Sequence, residues 1–165
     1  MREVSFIPMS QEKDIHKNRQ ARTFAFQFLY HFQWEDFYTD AAELQQKLAA
    51  NDQSELDNEV RNFRESVPAP ADKDVYHYAF NLITGVLLKA PTIEADLEGY
   101  SKNWKLSRMS KVDLTLLKLG LYELEYIPET PKKVVINEIL EIAKDFSSEK
   151  STSFINGILD QHSKR

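Results

Sequence analysis

Three cations open the first strong helical stretch of the chain: Lys17, Arg19 and Arg22. Arg19 and Arg22 are three residues apart, so they share a helix face, and Lys17 lies on the same opening turns. Solvated cations at a surface need no special explanation. The same grouping also makes a small anion site, because the N–H groups and the dipole at a helix start favour phosphate.

Other reactive patterns are missing. The four histidines, at 16, 31, 77 and 162, are scattered, and no pair has the His-x-x-x-His spacing of a helical metal site. His31 and His77 sit beside aromatics on helices and read as satisfied or half-buried structural residues. Four isolated glycines cannot form a phosphate-cradling loop, and no serine sits in a G-x-S-x-G elbow. The carboxylate pairs Glu138/Glu141 and Glu123/Glu125 read as solvated helix faces. Neither catalysis nor a cofactor is indicated.

The elements that must position these residues are helices. Only four glycines and six prolines punctuate 165 residues, and most apolar stretches have helical spacing. Residues 1–15 read as an extended arm, followed by one domain over 16–162. The spacing predicts helices over about 17–36, 40–50, 54–65, 74–89, 92–100, 110–126, 130–146 and 148–161. Pro91 is expected to end the fourth and Thr92 to open a short fifth. The stretch after Ser110, apolar on several sides, is expected at the centre of a bundle, with Lys118 where that helix reaches solvent. Gly85 and Gly120 suggest close helix approaches. Asp72 and Ser110 look like N-caps, Thr130-Pro131 reads as a cap followed by proline, and the terminal QHSKR reads as frayed.

Composition narrows the function. The chain is 42% hydrophobic and 12% aromatic, enough for one domain with a core. It has no cysteine, which excludes disulfides and suits a reducing cytoplasm. No membrane span or signal peptide is apparent. The net charge of −5 rules out strong non-specific nucleic-acid binding through overall charge. An RNA role therefore needs a local basic patch or a basic partner.

The closing segment PKKVVINEILEIAKDFSSEKSTSFINGILDQ resembles the C-terminal signature of the NusB family of bacterial transcription antitermination factors. Its elements are Val134–Phe146 and Ser153–Asp160. LTLLKLGLYELEYIPETP and NRQARTFAFQFLYHFQ are similar to two further family segments, in the same order. The resemblance implies an all-α, compact double helical bundle of about seven helices without catalytic activity. It implies binding of a short single-stranded boxA RNA together with NusE, a ribosomal protein of the small subunit. It also implies joining RNA polymerase with other Nus factors, notably during ribosomal RNA synthesis.

By matching positions, the resemblance assigns Arg19 and Arg22 to phosphates, with Lys17 beside them, and Gln27 and Tyr30 to bases. Lys118 and Phe154 complete the RNA-facing set, although Tyr30 and Phe154 also fit plain core positions. Lys150 stands where the family usually has a second acid, which adds attraction on the expected RNA edge. Asp113 and Glu149 match acidic positions near the NusE side; Asp113 equally fits a helix cap. Asn137 and Asn156 read as partners of buried backbone groups. The competing readings are a protein-interaction module and a homodimer without RNA binding.

Overall fold

A helix that is apolar on several sides must be largely surrounded, and the segment after Ser110 is such a helix. The computed structural model describes residues 9–32, 41–100 and 106–165, with only the backbone for 9–17 and 41. It comprises α1 (Met9–Phe32), α2 (Ala41–Ala49), α3 (Ser54–Phe63), α4 (Lys73–Tyr100), α5 (Lys111–Tyr126), α6 (Lys132–Phe146) and α7 (Glu149–Ser163). A 3-10 turn at Leu106–Arg108 precedes α5, and no strand occurs among the described residues. The fold is all-α.

The central helix is α5. Leu116, Leu117, Leu119 and Leu121 are almost fully buried. α1, α4 and α5 pack mutually, and so do α5, α6 and α7, so α5 is shared by two three-helix groups. α2 lies on α4. α3 buries Leu56, Val60 and Phe63, whose ring meets Phe24 and Phe28 of α1.

Several boundaries differ from those the spacing predicts. α1 begins at Met9 rather than near Lys17, so it takes in half of the expected arm. Residues 9–16 contain no glycine or proline to stop a helix. Residues 1–8, 33–40 and 101–105, including Trp104, lie outside the described residues. Pro91 does not end a helix; α4 runs through it. Proline lacks the N–H that would bind the carbonyl four residues earlier. That carbonyl, Leu87 O, instead accepts from Gln45 Nε2 of α2 at 3.3 Å. The buried stripe also continues past the proline through Ile93 and Leu97.

The caps follow local chemistry. Asp72 Oδ1 accepts from the N–H groups of Asp74 (2.9 Å) and Val75 (3.3 Å). Ser110 Oγ accepts from Asp113 N–H, and Ser148 Oγ from Ser151 N–H, each at 3.1 Å. Pro131, not Thr130, occupies the cap position of α6, and its carbonyl accepts from the N–H groups of Val134 and Val135. The C-terminal end is held rather than frayed. His162 is buried between the Tyr100 hydroxyl, 2.5 Å from Nδ1, and Glu125, 3.1 Å from Nε2. His31 and His77, expected to be satisfied or half-buried, are both exposed, although the His31 ring lies 5.1 Å from that of Phe63. No described helix is long and apolar enough to cross a membrane.

The two interior glycines mark close approaches. A Cβ on Gly85 would lie 2.0 Å from the Tyr122 ring, and one on Gly120 2.9 Å from Leu159. A Cβ on Gly157, also inside a helix, would meet nothing within 4 Å. The same substitution should therefore act with opposite signs. Gly85→Ala is expected to destabilise by about 1–3 kcal/mol through overpacking. Gly157→Ala is expected to stabilise by up to about 1 kcal/mol through helix propensity. Urea unfolding midpoints at constant m check both; two shifts of the same sign contradict the close approach.

Candidate nucleic-acid interface

Arg19 and Arg22, the cations of α1 whose side chains are described, are both committed to the protein. Arg22 is 1% exposed and forms a fork with Glu123 of α5: Nε donates to Oε2 at 2.6 Å and Nη2 to Oε1 at 2.9 Å. The Tyr78 hydroxyl of α4 donates to the same Oε1 at 2.6 Å. Arg22 therefore offers nothing to a phosphate, and Glu123 is not a solvated face. The signal was in the sequence: Arg22 lies one turn before Ala25 and Phe26, and Glu123 lies among the leucines of α5. Each is a charge inside an apolar stripe, and such charges are buried only when paired.

Arg19 is partly exposed, but it too is forked, onto Glu138 of α6 at 2.8 and 2.7 Å. The bonded Glu138 raises its basicity despite burial, with Glu141 and Asp145 adding to the effect. A phosphate approaching Arg19 would meet those acids. Glu138 is buried, again unlike a solvated face. Lys118 does not reach solvent freely: its side chain is 14% exposed and pairs with Glu94 of α4 at 2.7 Å. It lines an apolar recess of about 200 Å³ with Leu29, Val86 and Pro91. The Lys17 side chain lies outside the described residues.

Gln27 faces a different groove, of about 600 Å³, shared with Arg19, Gln20, Thr23 and Pro68. Tyr30 is half-buried and stacks on Phe26, with ring centroids 6.0 Å apart. Asn137 and Asn156, expected to satisfy buried groups, are both exposed.

Three of the expected site residues do come together. Asp113, Lys150 and Phe154 line a recess of about 260 Å³ with Arg108, Ser110 and Ser151. The 3-10 turn, the start of α5 and the start of α7 build it. Arg108 had no signal beyond being a cation just before an N-cap. Among the described residues, neither Arg108 nor Lys150 forms a salt bridge. Two helix starts add partial positive charge. The acid of the recess, Asp113, is 8% exposed and accepts from Ser147 Oγ at 2.9 Å. It pins the joint between α6 and α7 and is poorly placed as a docking acid. Glu149, in the first turn of α7, is exposed. The recess can hold an anion beside a half-buried aromatic ring.

The buried fork generates two expectations. Arg22→Met strands Glu123 and should cost about 3–5 kcal/mol, with most of it recovered in the double variant with Glu123→Leu. Chemical denaturation of the two variants tests this; equal losses in single and double variants would contradict it. Burial, and then the Glu123 carboxylate, push the Tyr78 hydroxyl's ionisation up. A raised folded pKa gives stability that is full below the unfolded value of about 10 and lost as pH rises beyond it. Unfolding midpoints should therefore fall above that pH, and less steeply in Tyr78→Phe; parallel pH profiles would count against it.

The sequence profile of the NusB family matches residues 19–164. The transcription antitermination protein NusB of Desulfatibacillum aliphaticivorans is 38% identical over 144 residues, covering 87% of each chain. That of Geotalea daltonii is 49% identical over 86 residues, 52% of this chain and 59% of the relative's length. The second alignment thus spans less than two thirds of the protein it matches. The NusB structure of T. maritima superposes with a TM-score of 0.68 at 29% identity, over 90% of this chain and 91% of that one. Fold, profile and near full-length similarity agree, and the chain belongs to the NusB family.

Proposed function

We propose that this chain is a non-catalytic, cytoplasmic transcription antitermination factor. It binds a short boxA-type single-stranded RNA together with NusE, and the complex joins RNA polymerase and other Nus factors, notably during ribosomal RNA synthesis. Family membership and the relatives' activity support the reading. The observation that carries it is the recess where Lys150 and Arg108 flank Phe154. Single-strand recognition combines cations along the backbone with aromatic platforms for bases, and this recess supplies both.

The electrostatics explain the need for a partner. Arg19, Arg22 and Lys118 are held by acids, so the RNA surface of this chain alone is thin. A basic ribosomal protein would complete it, docking partly through exposed acids such as Glu149. Arg22 belongs to the core in this reading, and Gln27 and Tyr30 do not line the recess. The diverted cations also favour a second reading, an interaction module that binds NusE without RNA.

Fluorescence anisotropy with a boxA RNA, with and without NusE, separates the two. The proposal expects binding that NusE strengthens. It expects Lys150→Ala and Arg108→Ala each to weaken binding and to reduce the salt slope by about 0.7 per lost phosphate contact. NusE capture without RNA affinity would establish the module. Unchanged slopes in both variants would remove the recess from the interface.

A further inference from the structure

One large side chain remains unexplained by the core. Phe146 falls on the apolar stripe of α6 with Val135, Ile139 and Ile142, and spacing alone would bury it. Those three residues are at most 2% exposed, whereas Phe146 is 41% exposed. It is the one exposed large hydrophobic residue among those described. Its ring is nevertheless supported. Phe26 of α1, itself 1% exposed, lies beneath it with centroids 5.0 Å apart and planes inclined at 55°. Phe26 in turn stacks on Tyr30.

The ring also has a defined place. It is the last residue of α6, directly before the joint. The next residue, Ser147, bonds Asp113, which lines the recess with Lys150 and Phe154. A buttressed aromatic ring thus sits at the edge of the candidate RNA site, on the opposite side of the joint from Phe154 in the chain.

We propose that Phe146 is a second stacking platform, taking a nucleobase of the single-stranded RNA next to the one held at Phe154. The inference rests on the RNA-binding reading above. Its surroundings favour a base over a protein side chain. A protein interface needs a contiguous apolar core of several anchors. Among the described residues Phe146 is the one exposed large hydrophobic, and its chain neighbours Asp145 and Ser148 are exposed and polar. A nucleobase needs only one flat apolar face, and a ring already held by Phe26 loses little freedom on stacking. The unpaired Lys150 and Arg108 beyond the joint suit the adjoining phosphates.

The test uses the full chain with NusE and a boxA RNA carrying 4-thiouridine at successive positions. Phe146→Ala should weaken binding about tenfold. Phe146→Tyr should bind like the natural chain. Phe146→Leu keeps the apolar contact with Phe26, so it should unfold at the natural urea midpoint and still bind weakly. The salt slope should stay unchanged in all three, in contrast to Lys150→Ala. Photocrosslinks should map to Phe146 from one RNA position and to Phe154 from its neighbour. Natural affinity in Phe146→Leu, with Lys150→Ala still weakened, would overturn this inference alone. Lost NusE capture with intact RNA affinity would assign the ring to the protein partner and overturn it as well. No RNA binding by the natural chain would remove both this inference and the proposed function.

Discussion

One carboxylate organises the molecule. Glu123 of α5 receives the fork of Arg22 from α1 and the hydroxyl of Tyr78 from α4, so three helices meet at two oxygens. A buried ion pair is a poor source of net stability, because desolvating both charges consumes most of their attraction. Its geometry is demanding, however. A planar guanidinium donates a paired fork to a carboxylate in few orientations, and a sliding α1 would strand both charges. Three residues earlier on α1, Arg19 makes a second fork with Glu138 of α6. One helix is thereby fastened to both three-helix groups, and its register against α5 and α6 is set by charge as well as by shape.

That arrangement decides where nucleic acid can be met. A chain with net charge −5 has few cations to spare, and its fold uses several internally. Arg22 lies within the core, Arg19 faces three acids of α6, and Lys118 pairs with Glu94. Among the described residues, Arg108 and Lys150 form no salt bridge and share a concave recess, at the opposite end of α5 from Glu123. Local charge there outweighs the overall sign, because screening confines each interaction to about 10 Å.

The helices were legible because burial imposes a period of 3.6, and caps and glycines left local marks. α5 was recognisable as the centre from its leucines alone. What the period could not show was how polar atoms are shared between elements. Pro91 looked like a terminator because Gln45, on another helix, answers for its missing N–H. Glu123 and Glu138 looked solvated because their partners lie 101 and 119 residues away. His162 looked frayed for the same reason, and Asn137 and Asn156 looked internal although both are exposed. Of the candidate site, Lys150, Phe154 and Asp113 were visible as residues, but Arg108 entered only through the fold.

The joint between α6 and α7 is held firmly enough to suit the candidate site. Its backbone is fixed independently at successive residues. Ser147 N–H donates to Ala143 O at 2.7 Å, Ser147 Oγ donates to Asp113, and Ser148 Oγ caps α7. Asp113 is itself positioned by the Ser110 cap of α5. A loop so held loses little conformational freedom when a ligand arrives, so more of the contact energy appears as affinity. The serines that end one helix and begin the next therefore do more than turn the chain. They transmit the rigidity of α5 to the two aromatic residues, Phe146 and Phe154, that flank the joint.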